Sequence, residues 1–200
     1  MRKKTADEIL DAASTLFAKR GFEYVTIKQL AKEANVNCAA VSYYFGGKDK
    51  LYQEVLSRQF LPALQALRKV RISYRSTATE RLGEYAKMIA AVKSSQPYLT
   101  TLWHYEINRR NAVCSNLVKE YTVQFYQSIL FALSHGISQN EFLSDLEPYS
   151  ATSVLMEIMH APYASTSVLT EQGRLAEDDY KDYTIQAIYH YLQGIRNVSV

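Results

Sequence analysis

Residues 26–45, TIKQLAKEANVNCAAVSYYF, carry two helix-start signals eleven residues apart. Thr26-Ile27-Lys28-Gln29 is a capping box: a threonine hydroxyl and a side chain three residues on can satisfy the unpaired N–H groups of a first turn. Asn37 is a second cap-forming residue. Only Asn35-Val36-Asn37 lies between the two apolar patterns, so the chain must form two short helices joined by a tight turn. Ile27, Leu30, Ala31 and Ala34 give the first an inward face. Val36, Val41 and Phe45 are read as core.

The flanking sequence completes this unit. Thr5-Ala6-Asp7-Glu8 is another capping box and predicts the start of a longer helix, with Ile9, Leu10, Ala13, Leu16 and Phe17 on one face. Gly21 is the predicted stop, and Phe22 and Tyr24 fill a short connection. Gly46-Gly47 breaks the chain again, and a fourth helix begins at Lys48 and continues toward Arg75, with Pro62 predicted to kink or end it locally. Further helices are predicted near Glu80–Lys93, Pro97–Arg109, Ser115–Ser134, Glu147–His160 and Glu177–Arg196. Gly136 is read as a helix stop and Ser165–Gly173 as a flexible loop. With 4 Pro and 7 Gly in 200 residues, and little strand-like alternation, the fold class is all-α. The expected organisation is a helix-turn-helix domain over residues 1–48 and a larger helical domain over residues 49–200.

Charge separates the same two parts. Residues 1–75 hold 14 Lys/Arg against 7 Asp/Glu, whereas residues 76–200 hold 9 against 13. A basic N-terminal part points to a polyanionic partner. No apolar run approaches the ~18–20 residues that span a bilayer. The N-terminus turns acidic before an apolar run develops, against a secretory signal, so a cytoplasmic protein is expected. Two cysteines, Cys38 and Cys114, imply no disulfide framework. His104, His135, His160 and His190 form no metal-ligand spacing, and no nucleophile–base order or phosphate-binding glycine loop occurs. Neither catalysis nor a cofactor or metal is expected.

The segments ILDAASTLFAKRGFEYVT, TIKQLAKEANVNCAAVSYYF and GGKDKLYQEVL together resemble the tetracycline-repressor (TetR) family of bacterial transcription regulators, over roughly residues 5–56. The resemblance implies that the second helix of the pair enters the major groove of an operator while the first crosses the backbone. Small residues at Cys38, Ala39 and Ala40 would permit close approach to base edges. Ser42, Tyr43 and Tyr44 offer hydroxyls, Asn37 caps the reading helix, and Thr26 and Lys48 stand at helix starts suited to phosphates. Lys28 occupies the family's base-contacting basic position. Tyr44 is read equally as core against the first helix, Lys28 alternatively as a solvated residue, and Cys38 as a small helix residue rather than a redox sensor. Three side chains this short cannot make bidentate contacts to bases, which shifts specificity toward DNA shape.

For residues beyond Lys48 the resemblance implies a bundle that binds a small-molecule effector and dimerises. Tyr85, Trp103, Tyr105, Arg109, Leu155 and Met156 are the candidate effector-pocket residues, since aromatic and Met side chains line adaptable cavities. Arg109 and Arg110 could hold a ligand carboxylate or pair structurally with Glu106. Phe125 and Ile129 in one apolar stripe, and Tyr183, Ala187 and Tyr191 in another, are the candidate dimer surface, with an intrachain core as the alternative. The leading reading is a dimeric DNA-binding regulator, a repressor released from a palindromic operator by its effector. The alternative is a helical interaction protein with little sequence-specific DNA binding.

Overall fold

In a computed structural model, residues 2–70, 76–109, 115–161 and 179–197 are described. The expectations for Arg110, Cys114 and the 165–173 loop fall outside them. The described residues form nine helices, with an isolated antiparallel bridge between Phe142 and Arg196 in place of any strand. They are α1 (Arg2–Arg20), α2 (Ile27–Glu33), α3 (Cys38–Phe45), α4 (Lys48–Val70), α5 (Ala78–Ser95), α6 (Leu99–Ile107), α7 (Asn116–Ser138), α8 (Pro148–His160) and α9 (Asp179–Gly194).

The caps around the helix pair form as the sequence dictates. Thr26 Oγ1 accepts from Gln29 N–H, and Thr26 N–H donates to Gln29 Oε1 at 2.8 Å. Asn37 Oδ1 accepts from Ala40 N–H at 2.8 Å. Asn35 takes φ 51°, which its short polar side chain tolerates, and Val36 N–H closes the turn on Ala31 O at 2.9 Å. Leu30, Ala31 and Val41 are buried against Ile9, Ala13, Leu16 and Phe17 of α1 and Leu51 and Val55 of α4 in one core cluster. The three-helix unit is thus fastened to the first turns of α4.

Four expectations about helix ends and breaks differ from the structure. α1 begins at Arg2, so Thr5 lies inside it rather than capping it; the basic residues upstream are themselves good helix formers. α4 runs through Pro62 without interruption. α7 passes Gly136 and ends at Ser138. A Cβ at Gly136 would lie 2.4 Å from the Phe142 ring and 2.8 Å from Ala78 Cβ, so that glycine serves close packing, not termination. Pro97 also precedes α6 by two residues instead of opening it.

α5 begins with its own capping box, Thr77 with Glu80, and receives a second cap from a distance. Glu141 accepts from the N–H groups of Ala78 and Thr79 at 2.8 and 2.7 Å. Those bonds outweigh partial burial and hold the Glu141 carboxyl below the usual range. α5 packs against α4, α7, α8 and α9 and forms the bundle's centre.

Candidate nucleic-acid interface

α3 has two unlike faces. Val41 is fully buried, whereas Cys38, Ala39, Ser42 and Tyr43 are exposed and Ala40 and Tyr44 half-buried. Positions 38, 39, 42 and 43 fall on one helical side, opposite the core. Tyr43 stands 66% exposed with its ring edge-on to Tyr44, the centroids 5.2 Å apart. Tyr44 also packs against the core cluster, so it is part of both faces. Thr26 and Lys28 at the start of α2, and Asn37 at the cap of α3, are exposed. The structure therefore leaves Thr26, Lys28, Asn37, Cys38, Ala39, Ser42 and Tyr43 open to solvent, with Lys48 set differently.

Lys48 is turned inward. Its Nζ donates to the carbonyl oxygens of Phe22 and Val25, each at 2.9 Å, and lies 4.2 Å from the Phe22 ring centroid. The expected phosphate anchor is first a clamp that ties the α1–α2 connection to the start of α4. Charge-assisted bonds of this kind contribute about 2 kcal/mol. Lys48→Met is accordingly expected to lower the melting temperature by about 4–8 °C. Unchanged melting with weakened DNA binding would make it a phosphate ligand alone.

Of the two residues expected to fill the α1–α2 connection, only one does. Phe22 is packed against Phe17 and Tyr52, but Tyr24 is 78% exposed and fills nothing.

The six effector candidates do not meet. Trp103 and Tyr105 are separated by about 200° around α6, at about 100° per residue, and so face different partners. Trp103 lies in the bundle, stacked on His160 at 4.2 Å with its Nε1 donating to Thr122 Oγ1 at 2.9 Å. Tyr85, Leu155 and Met156 are also buried core. Tyr105 and Arg109 face the three-helix unit instead. A Cβ on Gly21 would sit 2.6 Å from the Tyr105 ring, and Tyr105 Oη accepts from Glu23 N–H at 3.4 Å. Arg109 donates to Glu23 at 2.6 Å and to Glu106 at 3.1 Å, so the structural ion pair is the arrangement that forms.

The proposed dimer surface also divides. Phe125 and Ile129 are fully buried within their own chain, Phe125 against the rings of Tyr85 on α5 and His160 on α8, so both belong to the bundle core rather than to an open surface. An apolar stripe has the same spacing whether a neighbouring helix or a second chain covers it. Tyr183 is 57% exposed, with Ala187 and Tyr191 half-buried.

Within the bundle, His160 donates from Nδ1 to Met156 O at 2.9 Å, which leaves Nε2 to accept from the Tyr121 hydroxyl at 2.8 Å. Burial, joined by the nearby charges of Lys93 and His104, pushes His160 down to about 3. Burial likewise lowers Lys93 to about 8; its ammonium donates to Ala161 O and Thr184 Oγ1. Among the described residues no three His, Cys, Asp or Glu side chains could hold a metal ion, and no helix is long and apolar enough to cross a membrane.

A helix pair with one face sunk in the core and an open small-residue face, flanked by tyrosines and an exposed lysine, is the arrangement of a helix-turn-helix DNA-binding regulator of transcription. Residues 9–55 match the bacterial regulatory proteins of the tetR family. The HTH-type transcriptional regulator BetI of Brucella abortus is 31% identical over 173 residues, covering 86% of this chain and 87% of that protein. The chain belongs to the tetR family. The crystal structure of HlyIIR, a hemolysin II transcriptional regulator, superposes with a TM-score of 0.71 at 25% identity, over 98% of this chain and 99% of that one. FadR of Bacillus subtilis, solved in complex with stearoyl-CoA, shares the fold with a TM-score of 0.67 at 17% identity, over 94% of this chain and 98% of that one.

Proposed function

We propose that the protein is a cytoplasmic homodimeric repressor that reads an inverted-repeat operator through α3 and leaves it when a small molecule binds the helical bundle. The observation that supports this most is the division of α3, with Val41 sunk in the core and the 38, 39, 42, 43 row open to solvent. Residues 1–48 form the reading unit and residues 49–200 the sensing and pairing unit. Tyr183, Ala187 and Tyr191 on α9 keep solvent-accessible surface that a second copy could cover. FadR, with the same fold, was solved in complex with stearoyl-CoA, and for an effector of this chain the candidates inside the bundle are the buried Tyr85, Trp103, Leu155 and Met156.

The test separates reading from anchoring. Operator variants selected from random DNA should be bound with distinct affinities, and Lys28→Ala should lower discrimination at one base pair by about 1–3 kcal/mol while leaving nonspecific binding nearly intact. Equal losses on all sequences would make Lys28 a backbone contact. No selection of any sequence by the wild-type protein would remove the operator reading altogether.

A further inference from the structure

Glu106, Arg109, Tyr52 and Glu23 come from three separated segments and meet at the junction between the three-helix unit and the bundle. Glu106, on the last turn of α6, is 1% exposed and accepts three hydrogen bonds. The donors are Tyr52 Oη of α4 at 2.9 Å, Ser115 N–H ahead of α7 at 2.8 Å and Arg109 Nη1 at 3.1 Å. Arg109 then reaches across to Glu23 in the α1–α2 connection. Its guanidinium lies over Phe22 at 5.4 Å and Tyr105 at 5.6 Å. A carboxylate this deeply buried is costly unless every lone pair is answered, and here the answering groups lie on different elements.

We propose that Glu106 and Arg109 are positioning residues for DNA binding: together they latch the orientation of the three-helix unit on the bundle, and so set where each α3 lies for the operator. This deepens the operator reading and rests on it. Two features make the arrangement a latch rather than ordinary packing. Arg109 answers a buried carboxylate on one side and an exposed one on the other, since the Glu23 side chain is 59% exposed. The inner half is therefore fixed and the outer half free to release. An open cleft of about 500 Å³, lined by Phe22, Tyr52, Leu56, Glu106, Arg109 and Leu117, also flanks the contact. α4 and the α1–α2 connection both border that cleft, through Tyr52 and Leu56 and through Phe22, and have room on that side once Arg109 lets go.

The experiment uses the full-length protein with nitroxide labels on native Cys38 and on Glu157→Cys, in a Cys114→Ser background, diluted into excess unlabelled chain. Pulsed electron resonance then reads the distance distribution between α3 and the bundle without any DNA. Glu23→Gln and Arg109→Met should each broaden that distribution, and the double variant should broaden it no further than Arg109→Met alone. On operators selected by the wild-type protein, both should reduce the preference for the selected half-site spacing over one altered by a base pair, by about fivefold or more. That ratio cancels the general gain in DNA affinity from removing a negative charge. Glu23 is exposed, so Glu23→Gln decides the matter if Arg109→Met fails to fold. Distributions as narrow as wild type in a folded Glu23→Gln protein would overturn the latch even if operator selection succeeds. Broadened distributions with no operator selection by any form would keep the latch and reject the operator reading.

Discussion

Gly21→Ala is expected to destabilise the protein by about 2–5 kcal/mol and to abolish tight operator binding. Two independent penalties meet at this position. Gly21 has φ 79°, in the left-handed region, where a Cβ costs roughly 1–2 kcal/mol. The added methyl would also lie 2.6 Å from Cε2 of Tyr105, and overpacking of this kind typically costs about 1–3 kcal/mol. The ring cannot yield freely, because Tyr105 packs against the core cluster and its hydroxyl accepts from Glu23. If it does yield, it pushes on the connection that carries Glu23 and Phe22, and the three-helix unit moves relative to the bundle. Thermal melting and operator titration together test this, with the melting of Gly46→Ala as the comparison. Gly46 has φ 74°, nearly that of Gly21, and a Cβ there would meet only the flexible Lys50 stem at 3.2 Å, so it shows chiefly the backbone penalty. A Gly21→Ala protein that melts no lower than Gly46→Ala would mean that the Tyr105 contact carries no strain.

The helix-turn-helix was legible because everything that makes it lies within a few residues in sequence. Thr26 finds Gln29 and Asn37 finds Ala40 whatever the rest of the chain does. The bundle helices were legible as helices for the same reason, through their apolar periodicity. What that periodicity does not carry is the identity of the covering surface. Phe125 and Ile129 read as a stripe, and the stripe faces this chain's own helices. Gly136 carries a stop signal, yet its missing side chain is needed by Phe142, six residues later and folded back on it. Lys48 has the residue type and position of an anion ligand, but two carbonyls of the α1–α2 connection reach it first. The Tyr52–Glu106 bond joins residues 54 apart and leaves no local signature. Trp103 and Tyr105 are the instructive miss, since helical phase alone places them on opposite sides of α6. Clustering by sequence density joined two residues that serve different parts of the molecule.

Acid should weaken the bundle through His160, by about 2 kcal/mol at pH 5 relative to pH 7. His160 is lowered from 6.5 to about 3 by burial first and by the charges of Lys93 and His104 after it. A histidine with a depressed folded pKa binds protons more readily in the unfolded chain. Between about pH 6.5 and 3 the unfolded state is therefore favoured as protons are added, at about 1.36 kcal/mol per pH unit. Stability is full above pH 6.5 and falls steadily below it. The groups with lowered carboxyl pKa values, Glu141 and Glu147, lose their contribution only below their unfolded value of 4.5. Lys93, lowered to about 8, stays protonated in both states from pH 7 to 5 and adds no slope there. Urea unfolding at pH 7 and pH 5 isolates the contribution when wild type is compared with His160→Gln. The variant loses the stack on Trp103 and starts less stable, but its stability should change with pH by about 2 kcal/mol less over that interval. An equal pH dependence in the two proteins would place the acid sensitivity elsewhere. Because His160 touches Trp103, Tyr121 and Phe125, the slope it carries counts the proton taken up when unfolding exposes that buried aromatic cluster to water.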